Sequence, residues 1–322
     1  MIAFILIPLA LAFAASGLFE MEIERIAEEN GLDGFDPDEP SIYDGHNVEF
    51  GTNSSETITG TNGDDAIFAL GQTDLVRALA GDDLVEAGSN NDTVFGGAGN
   101  DLIGGGTGFD VLYGDAGDDA LLGNGGDDVL IGRSGDDLLI GGGGADSLNG
   151  GPGDDLLISG HAEVGDEGEQ DISATALAVV RTYTNASFED VDFDALDAEG
   201  ALNGVDTSFL TETLEPTQGG ELSGGDGDDI LVLTGGDTAS GGAGEDLFVL
   251  HEDMLTEHTV WISDYNPSED VIALEYEGDD APDVEVLDRD GDASIFIGGE
   301  VIARIEGAAG MTLDNLRLVQ AD

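Results

Sequence analysis

Three nine-residue stretches decide how this chain folds. Gly96–Gly104 reads GGAGNDLIG, Gly105–Tyr113 reads GGTGFDVLY and Gly150–Ile158 reads GGPGDDLLI. Cut from Gly51 in steps of nine, the sequence gives twelve such units, ending at Ile158, with no insertion or deletion. Their first position is always Gly or Ala, and their sixth is Asp in eleven units, Glu56 being the exception. The eighth is Ile, Val or Leu in all twelve, from Ile58 to Leu157. A fixed period of this kind marks a repeat architecture, in which each unit buries its apolar face only against its neighbours.

Each unit reads as a turn of six residues and a strand of three. Side chains alternate along a strand, so the apolar eighth residue points inward and its two flanks point outward. Three residues make no stable strand alone; stacked about 4.8 Å apart they bury a continuous apolar ladder. The turn is rich in Gly because it bends sharply and visits φ > 0. It offers backbone carbonyls and a carboxylate, hard oxygen ligands that suit calcium, with roughly six to eight oxygens in irregular geometry. Magnesium, which wants a tight octahedron and keeps its waters, fits less well. Zinc would ask for His or Cys, which these turns lack.

The units closely resemble the RTX, or hemolysin-type, calcium-binding nonapeptide GGxGxDxUx, over residues 51–158 and again at Gly224–Val232 and Gly241–Val249. The C-terminal stretches Trp261–Pro267 and Glu269–Ile272 also look like sequences of that family. The resemblance implies a parallel β-roll with two units per coil and calcium between turns stacked on the same side. It also implies an exported protein that folds on meeting extracellular calcium, and a C-terminal signal for type I secretion. With two units per coil, alternate units fall on opposite edges of the roll. Position four is Gly in every even-numbered unit, but Ser54, Gln72 and Asn90 occupy it in the first three odd-numbered ones. That position is expected to need φ > 0, which Asn tolerates and Gln resists. The expected metal ligands on the even side are therefore Asp65, Asp83, Asp101, Asp119, Asp137 and Asp155. On the odd side they are Asp110, Asp128 and Asp146, with Asp92 marginal. Asp229 and Asp246 complete the set from the two resumed units, which stand eight residues apart, one short of the period.

Composition bounds the function from the other direction. The 322 residues include 71 acids and 7 bases, for a formal net charge of −64, with no Lys and no Cys. So acidic a surface repels phosphate, which excludes nucleic acid as a partner. Without Lys there is no Walker-type loop or Schiff base; without Cys there is no disulfide, thiol nucleophile or thiolate metal site. A disordered acidic polymer has no reason to keep a nine-residue register. The alternative is a fold that needs cations to neutralise its carboxylates.

The rest of the chain is organised around the repeat. Residues 1–19 carry an uncharged apolar run, 2–19, that reads as an N-terminal helix: a signal peptide with Ala12-Phe13-Ala14 as cleavage pattern, or a membrane anchor. Residues 20–50 form an acidic linker with Asp36-Pro37-Asp38-Glu39-Pro40. Residues 159–218 are an insertion, in which Ala176–Tyr183 and Val205–Leu214 are weak strand or helix candidates. The repeat resumes over 219–249. Residues 250–322 form a β-rich cap with strands expected at Thr259–Ser263, Val271–Tyr276, Val284–Leu287, Ser294–Ile297, Val301–Ile305 and Leu316–Val319, and a hairpin turn at Gly298-Gly299. His251-Glu252 and His258 lack the spacing of a zinc-protease helix. Asp288, Asp290 and Asp292 imitate the start of an EF-hand, but Ala293 and Gly299 stand where Gly and Glu belong, so a polar turn is expected. No GxSxG elbow occurs. The expected protein is all-β, a calcium-binding β-roll, extracellular or at the cell surface, in a structural or surface-binding role. No catalytic or cofactor-binding residues are assigned beyond the calcium ligands. Rival readings are a secreted hydrolase with a carboxylate site in 159–322 and a calcium-dependent adhesin or matrix component.

Overall fold

The computed structural model describes residues 46–162, 214–215, 219–251, 258–276, 281–289 and 291–320. The apolar run 2–19 and the candidate Ala176–Tyr183 lie outside these residues, as does all of Val205–Leu214 except Leu214.

The nonapeptides wind into a parallel β-solenoid with two faces. The chain passes alternately through two sheets and returns to the same sheet every 18 residues. One sheet has eleven strands in the order β1 (Asn47–Phe50), β3 (Asp65–Phe68), β5 (Leu84–Ser89), β7 (Leu102–Thr107), β9 (Ala120–Gly125), β11 (Leu138–Gly143), β13 (Leu156–Ile158), β17 (Ile230–Leu233), β19 (Leu247–His251), β21 (Val271–Tyr276) and β25 (Leu316–Gln320). The other has twelve: β2 (Thr57–Thr59), β4 (Leu75–Ala80), β6 (Thr93–Ala98), β8 (Val111–Ala116), β10 (Val129–Ser134), β12 (Ser147–Pro152), β16 (Glu221–Asp226), β18 (Thr238–Ala243), β20 (Val260–Ile262), β24 (Glu300–Ile305), β23 (Asp292–Ile297) and β22 (Val284–Arg289). Register holds the eighth positions in file, with Leu121 opposite both Ile103 and Leu139. These inward residues form one continuous core between the sheets, in which Ile103, Leu112, Leu121, Leu130 and Leu139 are fully buried.

Most strands of the repeat are longer than the expected three residues. β10 pairs with β8 through Val129–Ile131 and again through Arg133 and Ser134, so it runs from position seven of one unit into position three of the next. The kink between the two halves lies at position two, which takes the left-handed conformation: φ is +87° at Arg133, +97° at Gly106 and +91° at Leu79. The turn proper is only positions four to six.

One boundary differs from the expectation, and the insertion and the short coil fall where expected. Asn47–Phe50, placed in the linker, form β1 and pair in parallel with β3, with Phe50 stacked on Phe68 at 5.2 Å. The insertion departs after β13 and re-enters before β16. Its base is pinned by β14 (His161–Ala162) pairing antiparallel with β15 (Leu214–Glu215), while β17 stacks directly on β13. The missing residue between the resumed units gives a coil of 17 residues in place of 18, taken up by the turn Thr234–Asp237, where Gly236 has φ +99°.

The C-terminal region continues the solenoid. All six expected strands are present: β20, β21 and β25 extend the two sheets in parallel, and β22–β24 close the twelve-stranded sheet as an antiparallel meander. Gly298 and Gly299, both at positive φ (+58° and +90°), make the two-residue β23–β24 hairpin turn, as such a loop requires. The EF-hand imitation is part of the β22–β23 hairpin. Asp288 Oδ2 accepts from Gly310 N and Asp292 Oδ1 from Gly307 N, so both serve turns.

Candidate metal centre

The solenoid has two edges, where the chain crosses between sheets, and the sixth-position carboxylates line both. On the first edge, each Asp backbone N–H donates to the Oδ1 of the Asp one coil on. The steps run from Asp65 to Asp83 (2.7 Å), then to Asp101 (2.9 Å), Asp119, Asp137 and Asp155 (2.8 Å each), Asp229 (2.9 Å) and Asp246 (3.1 Å). On the second edge the same bond links Glu56, Asp74, Asp92, Asp110, Asp128 and Asp146 at 2.7–2.8 Å. All twelve expected ligands therefore fall into one or other of two continuous files. Asp155 and Asp229 are neighbours although 74 residues apart in sequence.

One oxygen of most rungs accepts that bond, and in most the other has no donor. Oδ2 is buried and without a hydrogen-bond partner in eleven of these residues: Asp74, Asp83, Asp92, Asp101, Asp110, Asp119, Asp128, Asp137, Asp146, Asp155 and Asp229. A buried unpaired carboxylate oxygen is costly, and the protein's answer without a cation is to hold the proton. Burial pushes the carboxyls of Asp101 and Asp119 up to about 8 and Asp155 up to about 9; the carboxylates of neighbouring coils add to the rise and the backbone N–H bond opposes it. The Oδ2 atoms lie over position one of their own units: a Cβ on Gly105 would stand 2.7 Å from Asp110 Oδ2. This favours Gly at that position in most units, while Ala69, Ala78 and Ala87 fit a Cβ there beside Asp74, Asp83 and Asp92.

The donor set fits a hard cation. Among the described residues no three His, Asp or Glu side chains converge into a cage. Stacked turns about 4.8 Å apart bring carboxylates together in adjacent pairs, and backbone carbonyls and water must supply the remaining oxygens. Calcium accepts that mixture; zinc does not.

The ends of the files differ from the middle. Asn47 occupies the rung before Asp65 and donates its Nδ2 to Asp65 Oδ1 at 2.8 Å. Asp65 Oδ2 accepts from Thr61 N and Oγ1, so this first rung is met by protein donors. At the far end Asp270 accepts from Asp246 N at 3.3 Å and from Asn266 N at 2.6 Å. On the second edge, Gly220 follows Asp146 and Asp237 follows Gly220. Asp237 is fully buried and satisfied: Gly220 N (2.7 Å) donates to Oδ1, while Ser159 Oγ (2.6 Å) and Thr234 N (2.6 Å) donate to Oδ2.

Sequence reasoning passed over Asn47, Asp237 and Asp270. Each stands two residues before an inward position, as in Asp270-Val271-Ile272, and that was their available signal. It also passed over a second file on the first edge, at position five. There the side chains of Asp64, Asp82, Asn100, Asp118, Asp136, Asp154 and Asp228 each accept from the backbone N–H one coil on, at 2.8–3.1 Å. On the second edge this file is interrupted, because Phe109 and Ala145 occupy the position.

Of the histidines considered, His251 belongs to β19 and His258 precedes β20.

The RTX calcium-binding nonapeptide repeat family matches this chain in four copies, at residues 50–85, 70–103, 103–130 and 122–157. No curated protein matches the sequence. Among solved structures, the extracellular lipase LipA from Serratia marcescens is similar at 16% identity over 73% of this chain, with a TM-score of 0.24. That similarity covers 41% of the lipase, so the chain spans about two fifths of its length, and the low score carries no argument about activity. The repeat match falls on the coils whose buried carboxylate oxygens lack donors. Residues 50–157 are RTX calcium-binding nonapeptide repeats, and the cation of this β-solenoid is calcium.

Proposed function

We propose that this is an exported calcium-binding protein whose β-roll folds on extracellular calcium and which serves a structural or surface-binding role. The observation that supports it is the set of eleven buried carboxylate oxygens with no hydrogen-bond donor. In a cell interior poor in calcium those oxygens and a net charge of −64 oppose the stacked turns. At millimolar calcium outside, metal binding supplies the folding free energy. The charge that calcium leaves uncompensated suits a salty exterior, where screening is strong.

The test is a calcium titration of the full chain followed by circular dichroism. The expected outcome is little β signal in chelator, a cooperative rise with calcium, and reversal on chelation. In Asp119→Asn, which removes one charge from the middle of the first edge, the midpoint should move about tenfold or more to higher calcium. A spectrum indifferent to calcium would remove the reading.

A further inference from the structure

The outward face of the twelve-stranded sheet is unlike the rest of the molecule. Positions seven, nine and two of each unit point away from the core there. From β2 to β20 those positions hold two acids, Asp115 and Glu221, and two bases, Arg77 and Arg133. The strip is therefore neutral, on a chain of net charge −64. Its relief changes along its length. On β12, β16 and β18 the outward residues are Ser147 and Asn149, Glu221 and Ser223, and Thr238 and Ser240, all exposed or half-buried. Position two is Gly on all three strands, at Gly151, Gly225 and Gly242. These small residues make a floor, and larger ones border it. On β10 the outward positions are Val129, Ile131 and Arg133. Arg133 folds back over the Tyr113 ring and pairs with Asp115 at 2.8 Å. On β20 stands Trp261, the single Trp of the chain, 49% exposed. Arg304 on β24 lies over one side of its ring, 5.4 Å from the centroid, and its neighbour on the other side is Thr238. The open face of the indole thus looks across the floor. From β10 to β20 is four strand spacings, about 19 Å.

We infer that this trough binds a neutral polysaccharide, the partner for the surface-binding role proposed above, on which the inference rests. The floor offers hydroxyl and amide groups, donors and acceptors at once, and these match the hydroxyls of a sugar chain. Glu221, in mid-floor, accepts from such hydroxyls. Trp261 offers a flat apolar face for the C–H side of a sugar ring, with a polar N–H edge that can stay wet. Asp264 reaches the floor beside it, but its carboxylate is taken up by Ser240 Oγ (2.6 Å) and Gly242 N (3.0 Å). Charge selects among partners. A polyanion is repelled by the acids of the whole molecule and finds Arg133 already paired with Asp115. A basic protein is drawn to the acidic edges and not to this strip. A second copy carries the same −64, and a floor of Ser, Asn, Thr and Gly gives it little apolar surface to offset that repulsion. A neutral glycan meets none of these objections. The floor also joins strands from either side of the insertion, with Ser147 in register with Glu221. It exists only when the coils are stacked, so glycan binding depends on calcium through the fold.

The only Trp of the chain reports on the site. Its emission, and the quenching of that emission by acrylamide, are followed in the full chain with calcium as cellohexaose, mannohexaose, dextran or dextran sulfate is added. The expected result is a saturable emission change and reduced quenching with at least one neutral glycan, no response to dextran sulfate, and loss of binding in chelator. Calorimetry with the same glycan then compares two variants. Trp261→Ala should weaken binding about tenfold. Ser223→Phe, which fills the middle of the floor, should abolish it. Circular dichroism accompanies each measurement, and both variants, being outward, should keep the calcium-induced β signal. A chain that gains that signal yet binds none of the three neutral glycans would overturn the trough assignment and leave the calcium-driven fold standing. Preference for dextran sulfate, or unchanged affinity in Ser223→Phe, would overturn it as well. Protection of Trp261 that rises with protein concentration, without glycan, would give the face to a second copy instead. If calcium brought no β signal, both readings would fall together.

Discussion

Gln72 and Asn90 hold φ of +77° and +76° at position four, where ten of the units after Gln72 place Gly between +121° and +151°. A side chain in this conformation costs roughly 1–2 kcal/mol, less for Asn, which bonds locally. The second edge thus continues through Asp74 and Asp92 with its hydrogen bonds intact, and the strain expected from the sequence is present in the backbone. Gln72→Gly is predicted to relieve it. Allowing for the greater freedom of Gly in the unfolded chain, about 0.5–1 kcal/mol, the calcium-loaded protein should gain up to about 1 kcal/mol, and calcium should bind more tightly beside Asp74. Denaturant melts in saturating calcium and calcium stoichiometry at low free metal check this; unchanged values for both would show that Gln72 carries no strain. Position four was legible because Gly recurs there. Position two was not, because Leu70, Leu79, Asp115, Asn124 and Arg133 hold left-handed angles with no Gly to announce them. Ser54 and Gly63 show the opposite, standing at position four outside that region.

At the scale of the coil, the file of rungs was legible because Asp and the inward residue share one period. It failed where the period failed. The 17-residue coil and the insertion meet at the same place, and there the rung is met by protein donors: Asp237 is held by Ser159, Thr234 and Gly220. Its carboxyl is still raised by burial, with the four hydrogen bonds opposing the rise. We expect this rung to be independent of calcium. Ser159→Ala removes one donor from a fully buried carboxylate and should cost about 1–3 kcal/mol in saturating calcium. The number of calcium ions bound should not change. A variant that lost a calcium ion would place the metal at this rung after all. The attachment of the insertion was not legible, because His161–Ala162 and Leu214–Glu215 belong to no period; it appears only as the pairing of β14 with β15.

Over the whole molecule the buried rungs act together on pH. In the metal-free fold Asp92, Asp128, Asp137 and Asp229 are pushed up to about 7, and Asp83, Asp110 and Asp146 to about 6, in each case first by burial. In the unfolded chain the same carboxyls titrate near 3.9. Between those values the folded state binds more protons than the unfolded one, so stability falls as pH rises. The contribution is fully present below about pH 4 and is lost through pH 6–9, with each shifted carboxyl worth on the order of a kcal/mol or more. Protons thus stand in for calcium at the rungs. In chelator, the β signal should be larger at pH 5 than at pH 8. With calcium the dependence reverses, because protons compete for the ligands: the calcium midpoint should rise as pH falls from 8 to 5. Circular dichroism at the two pH values, with and without calcium, measures both slopes. An equal β signal at pH 5 and pH 8 in chelator would mean that the rungs are solvated in the metal-free chain, and that the cost of their burial is not what keeps it unfolded.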